Sequence, residues 1–177
     1  MPRLLQIAML GNPVLCARAQ EVEDISRIEI QALIDDLCAT MIESDAVGLA
    51  APQVYRSVRV FVMCSRKGVR YPDAPEIPPF EVINPEVISQ SDETVRGWEG
   101  CFSMPGYRAK ILRPVSIVAR WQDRKGESVQ RELHGLAARV FLHELDHLDG
   151  KMFLERMDSV RDLVSEKEML RLCKEQS

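Results

Sequence analysis

Two of the chain's three histidines lie four positions apart in the segment FLHELDHLDG, residues 141–150. On an α-helix, residues at this spacing lie on one face with their Cβ atoms about 5–6 Å apart. His143 and His147 can therefore each direct a ring nitrogen at the same metal ion, with Glu144 beside it. The alternative is a pair of core histidines that hydrogen-bond to the backbone. The H-E-x-x-H pattern on a buried helix favours the metal site.

A catalytic metal site of this kind takes three protein ligands and leaves one position open for water. Metalloproteases with the same motif use a later glutamate, and Glu166 and Glu168 lie at a suitable distance. Both belong to the charged segment VSEKEMLRL, which is typical of a solvated helix face. Cys101 is the stronger candidate for the third ligand, because a thiolate binds zinc or ferrous iron well and Gly100 before it lets the backbone approach the ion.

The composition is that of an ordinary globular protein, and it excludes several classes. The chain has 177 residues, of which 46% are hydrophobic and 28% charged, and its net charge is −4. The charges form no basic block, so no direct nucleic-acid recognition is predicted, and no apolar run approaches the ~20 residues that span a membrane. Five scattered cysteines without a CxxC pair argue against a disulfide framework. No small-residue cleavage site follows the N-terminal segment, so we expect a cytoplasmic protein.

Three helices are predicted from the hydrophobic periodicity. The first lies within residues 24–45 and begins with a capping-box pattern at Ser26 and Glu29. The second carries the H-E-x-x-H motif, and its apolar residues surround the whole helix, which places it in the core. Asp149-Gly150 is a typical end for that helix. The last helix is predicted at about residues 159–174.

The strands are predicted between the first two helices. Residues 58–63 are β-branched and aromatic, whereas the proline-rich segment 64–79 is predicted as a loop. FEVINPEVIS is predicted as an edge strand or a broken strand because of Pro85, and a hairpin follows with its turn at residues 124–126. This order predicts an α+β fold, with mostly antiparallel sheets packed around a central buried helix that carries H-E-x-x-H. We expect one catalytic domain over residues 1–177.

Three segments in the same order resemble the signature motifs of the peptide deformylase family: GLAAPQ (48–53), EGCFS (99–103) and HELDH (143–147). The resemblance implies a cytoplasmic bacterial hydrolase that removes the formyl group from the N-terminal methionine of newly made proteins. It further implies one divalent metal ion, typically Fe(II), which Zn, Ni or Co can replace. N-formylmethionyl nascent peptides are the implied substrates. The last helix could contact the ribosome, as the family's C-terminal helix does in some members.

The resemblance also implies roles for individual residues. Glu144 would take a proton from the attacking water and later deliver it to the leaving amine. The Gln53 side-chain amide and the backbone N–H of Phe102 would stabilise the oxyanion. The implied metal ligands are Cys101, His143 and His147, with water as the fourth.

Further residues are predicted around this centre. Small residues of GLAAPQ would lie against an extended peptide, and an apolar pocket of α-helical residues would take the methionine side chain. The predicted substrate contacts are Gly48, Leu49, Gly100, Leu136 and Val140. Glu99 and Arg108 are predicted as a pair that holds the EGC turn and orients a histidine.

The chain departs from the usual family motifs at three positions. Ala46 replaces a glycine and would be strained if that position needs a positive φ. Phe102 replaces a leucine, and Leu142 replaces a glutamine before the first histidine. The proline-rich segment and RMDS (156–159) favour a divergent bacterial and mitochondrial-like subgroup. Two other functions remain as alternatives: a peptide-bond metalloprotease that uses Glu166 or Glu168, and a protein without catalysis that binds a peptide N-terminus.

Overall fold

A computed structural model describes residues 2–68 and 71–175 of the chain. It has three α-helices in these ranges, which are α1 (Ile28–Glu43), α2 (Gly135–Leu148) and α3 (Glu166–Glu175). The strands are β1 (Gly48–Ala50), β2 (Val60–Ser65), β3 (Ile77–Gln90), β4 (Thr94–Cys101), β5 (Met104–Pro114), β6 (Ser116–Gln122), β7 (Ser128–His134) and β8 (Leu163–Ser165). None of the helices described is long and apolar enough to cross a membrane.

The named strands form two sheets. The larger has the order β1-β2-β3-β6-β7 and the smaller has the order β4-β5-β8, and every pair of neighbours is antiparallel. The hairpin β6–β7 has its turn at the predicted place, where Gly126 adopts a φ of 84°. The predicted α+β class with antiparallel sheets is therefore confirmed.

Helix α2 contacts strands of both sheets, namely β1, β2, β6 and β7 of the larger and β5 of the smaller. Its Phe141 is fully buried and packs edge-on against Phe61 of β2 and at a tilt against Trp121 of β6. Burial of such aromatic side chains contributes strongly to core stability. Because α2 is apolar on all sides, its polar residues His143, Glu144 and His147 are buried with it.

The start of α1 differs from the prediction. The helix begins at Ile28, and its N-cap is Arg27, which makes no side-chain capping bond. Ser26 instead donates from its backbone N–H and its hydroxyl to Asp24 Oδ1, at 3.0 and 2.6 Å. The predicted capping box at Ser26 and Glu29 is therefore wrong, because a local turn around Asp24 takes the hydrogen-bonding groups of the serine.

Strand β3 is a central strand of the larger sheet, so of the two predicted alternatives the edge strand is wrong and the broken strand is confirmed. It pairs with β2 on one side and β6 on the other, and the register shifts between Ile83 and Glu86. Pro85 lies in this bulge, next to Asn84 with a φ of 51°. A bulge leaves one residue out of the ladder, so the missing N–H of proline costs no interstrand hydrogen bond there.

Two predicted boundaries are also wrong. The proline-rich loop is shorter than the predicted 64–79. Strand β2 ends at Ser65, and β3 begins at Ile77, the residue that pairs with Ser65. Residues 69 and 70 of this loop lie outside the described part. The last helix begins at Glu166 rather than near 159. Residues 163–165 form β8, which pairs with the edge of β5. The open edge of β5 offers backbone partners that this segment satisfies as a strand.

Candidate active site

Three side chains that can bind a metal meet where β4 ends against α2. One ligand atom from each of Cys101, His143 and His147 lies within 4.8 Å of the others. Cys101 Sγ lies 3.2 Å from His147 Nε2. Two ligands bonded at about 2.0–2.3 Å to one tetrahedral ion lie ~3.3–3.8 Å apart, so the three atoms suit one ion. The helix supplies both histidines because residues four apart share a face.

The charges in this cluster also suit a cation. Burial alone would raise the pKa of the Cys101 thiol, but His147 and His143 hold that pKa well below its ordinary value. Burial would lower the pKa of His143, yet hydrogen bonds with Cys101 and Glu99 raise it well above the usual range. The cluster therefore favours a thiolate and draws positive charge towards it. A divalent cation would replace the proton that His143 holds.

Glu99 orients His143 from the side away from the cluster. Its Oε2 lies 2.9 Å from His143 Nδ1, which leaves Nε2 directed at Cys101 and His147. Arg113 donates two hydrogen bonds to the Glu99 carboxylate, at 2.9 and 3.0 Å, and Arg139 donates another at 2.9 Å. Burial would raise the pKa of Glu99, but hydrogen bonds from His143 and Arg113 hold it below its usual range.

The predicted pairing of Glu99 with Arg108 is wrong. Arg108 forms an ion pair with Glu166 at the start of α3. Its side chain lies against Gly100, where a Cβ would overlap the guanidinium. The arginines that hold Glu99 are Arg113 and Arg139. A signal for Arg139 existed, because a charged residue on an otherwise apolar helix must find a partner in the core.

Glu144 is buried beside the cluster and has one free acceptor. Its Oε2 has no hydrogen-bond partner among the described residues. Burial raises the pKa of Glu144 to about 7. A Cβ at residue 48 would overlap the Glu144 carboxylate, so Gly48 is needed for this close approach. The structure thus gives the glycine of GLAAPQ a role that sequence reasoning did not foresee.

Gln53 is held at both ends of its amide. Its Oε1 accepts from the backbone N–H of Ala50 at 2.9 Å. Its Nε2 donates to Cys101 Sγ at 3.2 Å and to Ser103 Oγ at 3.4 Å. The amide donor is therefore directed at the cluster. Ser103, which is fully buried, was missed by sequence reasoning because a serine after a turn usually has no such partner.

A cavity of about 380 Å³ opens beside these groups. It is lined by most of the residues predicted for the site: Gly48, Gln53, Glu99, Gly100, Cys101, Phe102, Leu136, Val140, His143 and Glu144. Leu49 is an exception, since its side chain packs into the core with Ile34 and Met41. Successive side chains of a strand point to opposite faces, so Gly48 and Leu49 cannot both face the cavity.

The three departures from the family motifs cause little disturbance in the fold. The residue with positive φ is Asp45, at 54°, and Ala46 is not among the positive-φ residues of the described part. The strain expected at Ala46 is therefore absent. Leu142 packs against the main core cluster, and Phe102 lines the cavity.

One thiolate, two imidazoles and a buried carboxylate beside a cavity define the site of a single-metal hydrolase. The model of the polypeptide deformylase family matches residues 4–162, and the chain belongs to this family. Peptide deformylase 2 of Nostoc sp. is 46% identical over 94% of this chain and 93% of that protein. Peptide deformylase 2 of Shewanella oneidensis is 43% identical over 86% of this chain and 83% of that protein.

Solved structures agree with these relatives. The Met-Ala-Ser-bound class I type b peptide deformylase from Acinetobacter baumannii has a TM-score of 0.85 and 38% identity, and the match covers 89% of this chain and 100% of that chain. The predicted resemblance is confirmed. The protein is accordingly a metal-dependent enzyme that removes N-formyl groups from nascent polypeptides. The metalloprotease alternative is disfavoured, since Glu166 pairs with Arg108.

Proposed function

We propose that the protein acts in the bacterial cytoplasm on N-terminal formyl-methionine, with one divalent cation held by Cys101, His143 and His147. The observation that carries this proposal is the meeting of three ligand atoms beside the free oxygen of Glu144. Fe(II) is the proposed ion in the cell, since thiolate and imidazole suit it, and the same ligands accept Zn, Ni or Co. When bound, the cation lowers the pKa of water and polarises the formyl oxygen.

Glu144 is the proposed general base and then the general acid. Its free Oε2 takes one proton from water as the water oxygen bonds to the formyl carbon. The same carboxyl then delivers that proton to the nitrogen as the carbon–nitrogen bond breaks. The products are formate and a peptide with a free N-terminal amine. A pKa raised by burial suits both transfers, because the group can accept and release a proton near neutral pH.

Gln53 is proposed to stabilise the negative charge that grows on the formyl oxygen. Its amide oxygen is held by the Ala50 N–H, which keeps the amide donor on the side of the cluster. The backbone N–H of Phe102 is the proposed second donor. Removal of one such donor commonly costs about 2.7–4 kcal/mol of transition-state stabilisation.

The cavity wall is proposed to select the methionine. Leu136 and Val140 line the inner wall from α2 and would bury the methionine side chain. Gly48 and Gly100 leave room for the peptide backbone. Glu99 remains the proposed residue that orients His143.

Three broader proposals concern the whole chain. The first is that residues 1–177 form one catalytic domain. The second is that α2 is the central helix around which both sheets wrap, and its contacts with strands of both sheets support this. Helix α3 contacts the ribosome through an exposed basic side. The residues that support this contact are Lys167, Arg171 and Lys174, which are exposed along α3.

The test is formate release from a formyl-Met-Ala-Ser peptide by protein loaded with Fe(II) without oxygen. We expect rapid release by the wild type and a loss of about 10²–10⁴-fold in kcat/KM for Glu144→Gln. Metal content should be equal in both proteins, because Glu144 is not a ligand. Glu43→Gln, at the exposed end of α1, is the matched control and should match the wild type. Equal rates for the wild type and Glu144→Gln would refute the proposed base.

A further inference from the structure

The side chains of the metal cluster come from two elements with little backbone packing between them. His143 and His147 lie on α2, whereas Cys101 is the last residue of β4. Helix α2 packs on β5, the neighbour of β4 in the smaller sheet, but among the described residues its backbone makes only sparse contact with β4. The distance from the thiol to the imidazoles therefore depends on side chains that join this helix to this strand.

One row of side chains on α2 meets the end of β4. Arg139, His143 and His147 share a face of the helix because they are spaced four residues apart. His143 Nδ1 lies 2.9 Å from Glu99 Oε2, and His147 Nε2 lies 3.2 Å from Cys101 Sγ. Arg139 is the first member of this row, and it contacts the part of β4 that precedes the cluster.

Arg139 is bonded to the backbone of β4 as well as to Glu99. Its guanidinium donates to Glu99 Oε1 at 2.9 Å and to the carbonyls of Val95 and Gly97 at 2.8 and 3.4 Å. It also donates to the carbonyl of Ile111 on β5 at 2.8 Å. The side chain is only 4% exposed. Because the guanidinium is a rigid planar fork, acceptors on both strands fix its place between helix and sheet.

Gly97 leaves the space in which this guanidinium lies. A Cβ at residue 97 would come within 2.8 Å of Cζ and Nε of Arg139 and within 2.6 Å of the Tyr71 hydroxyl oxygen. Gly97 is not among the positive-φ residues of the described part. An alanine there would therefore displace these two side chains without straining the backbone.

We propose that Arg139 is a positioning residue that holds Cys101 of β4 at its distance from the histidines of α2. This inference rests on the proposed function, which makes Cys101, His143 and His147 the metal ligands. Glu99 orients one imidazole, whereas Arg139 also holds the carbonyls of the strand that carries the thiol. Loss of Arg139 should therefore loosen the sulfur ligand, while both histidines keep their places on one helix.

The experiment uses Co(II) as the probe, because a thiolate bound to Co(II) adds its own absorption in the near ultraviolet. Arg139→Met removes the donors and keeps an unbranched side chain. Its Co(II) affinity, measured by competition with a chelator, should fall by about 10–100-fold. Its thiolate absorption should also weaken at saturating Co(II). Arg139→Lys, which keeps the charge without the fork, should lie between this variant and the wild type.

Gly97→Ala tests the same contact with the arginine present, and it should change affinity and thiolate absorption in the same direction. Tyr71→Phe removes the hydroxyl that the new methyl group would also meet. The comparison of Tyr71→Phe with the double variant Tyr71→Phe/Gly97→Ala therefore isolates the displacement of Arg139. This comparison decides the question if Arg139→Met does not fold.

Arg59→Met is the matched control for the loss of a buried arginine. Arg59 is 6% exposed and donates to the carbonyl of Leu148 at 3.3 Å and to Asp149 Oδ1 at 2.8 Å. Urea denaturation of the metal-free proteins should show lower stability in both methionine variants. Co(II) affinity and thiolate absorption should change only in Arg139→Met.

Three results would overturn the inference. The first is wild-type affinity and thiolate absorption in both Arg139→Met and Gly97→Ala. The second is a lower affinity with unchanged thiolate absorption, because Arg139 would then act through Glu99 and His143 alone. The third is an equal loss of affinity in Arg59→Met, which would reduce the effect to stability. A wild type that binds no Co(II) would instead refute the metal site of the proposed function.

Discussion

Ion pairs hold the active site at two places: the inner end, beside the metal cluster, and the outer end, where Asp45 and Arg66 line the cavity. The two sets of ion pairs differ in burial. At the inner end, Glu99 and Arg113 are almost completely buried, and their hydrogen bonds are all satisfied by each other and by neighbours. At the outer end, Asp45 and Arg66 are 91% and 42% exposed in their side chains. Exposed pairs contribute about 0–1 kcal/mol, whereas removing one partner of a buried pair commonly costs 3–5 kcal/mol.

This difference separates the part of the site that fixes the reacting groups from the part that does not. The buried pairs fix the histidine and the cluster, so the reacting groups keep one arrangement. The exposed pair of Asp45 and Arg66 can change with little effect on folding. We expect substitutions at the inner end to alter metal binding and turnover, and those at the outer end to change both much less.

The largest effect in this comparison is expected for Gln53. The change Gln53→Ala removes the donor directed at the cluster, and kcat should fall by about 10²–10³-fold. Steady-state kinetics on the formyl-Met-Ala-Ser peptide measure this. Gln130→Ala is a suitable control, because Gln130 only accepts from Arg120 at the surface. A fall confined to KM would show that Gln53 binds the substrate without stabilising the oxyanion.

A smaller effect is expected for Glu99 and Glu166, each of which pairs with an arginine near the site. Glu99→Gln should weaken metal affinity by about 10–100-fold, because the second partner of a ligating histidine is lost. Glu166→Gln, in the less buried pair with Arg108, should change metal affinity by less than about 3-fold. Competition with a chelator measures both affinities. Equal losses in the two variants would contradict the distinction between the inner and outer pairs.

The smallest effect expected is a shift in the pH dependence of kcat/KM, caused by the raised pKa of Glu144. The proposed base Glu144 would work as a carboxylate, so kcat/KM should fall as the pH drops and the group becomes protonated. We expect the midpoint of this acid limb above ~4.3, the usual pKa of glutamate, and no higher than about 7, since a bound cation favours the carboxylate. Below the midpoint the rate falls about 10-fold per pH unit. A midpoint at or below the usual value would mean that burial does not raise this pKa in the loaded enzyme.

Local patterns predicted the parts of the site that lie within one element or one motif. His143, Glu144 and His147 follow from helical spacing, and Cys101 follows from ligand chemistry beside a glycine. The hairpin was predicted because its turn and its alternation are both local.

Long-range pairing explains what the sequence did not predict. Arg113 and Arg139 reach Glu99 from β5 and α2, and only the assembled core decides that they, and not Arg108, are its partners. The segment 163–165 looks helical alone but becomes β8 because β5 has an open edge. For the same reason the contribution of α3 to the cavity could not be read from its charged sequence.

Gly48 has a consequence for the evolution of the chain. Every amino acid except glycine carries a Cβ, and at this position the Cβ would occupy the space of the Glu144 carboxylate. That carboxylate is the end of a flexible side chain, so it could move aside and the protein could still fold. A single added methyl group would then leave an intact scaffold with its proposed proton carrier displaced. Selection for activity therefore requires glycine at this position, whereas selection for stability alone does not.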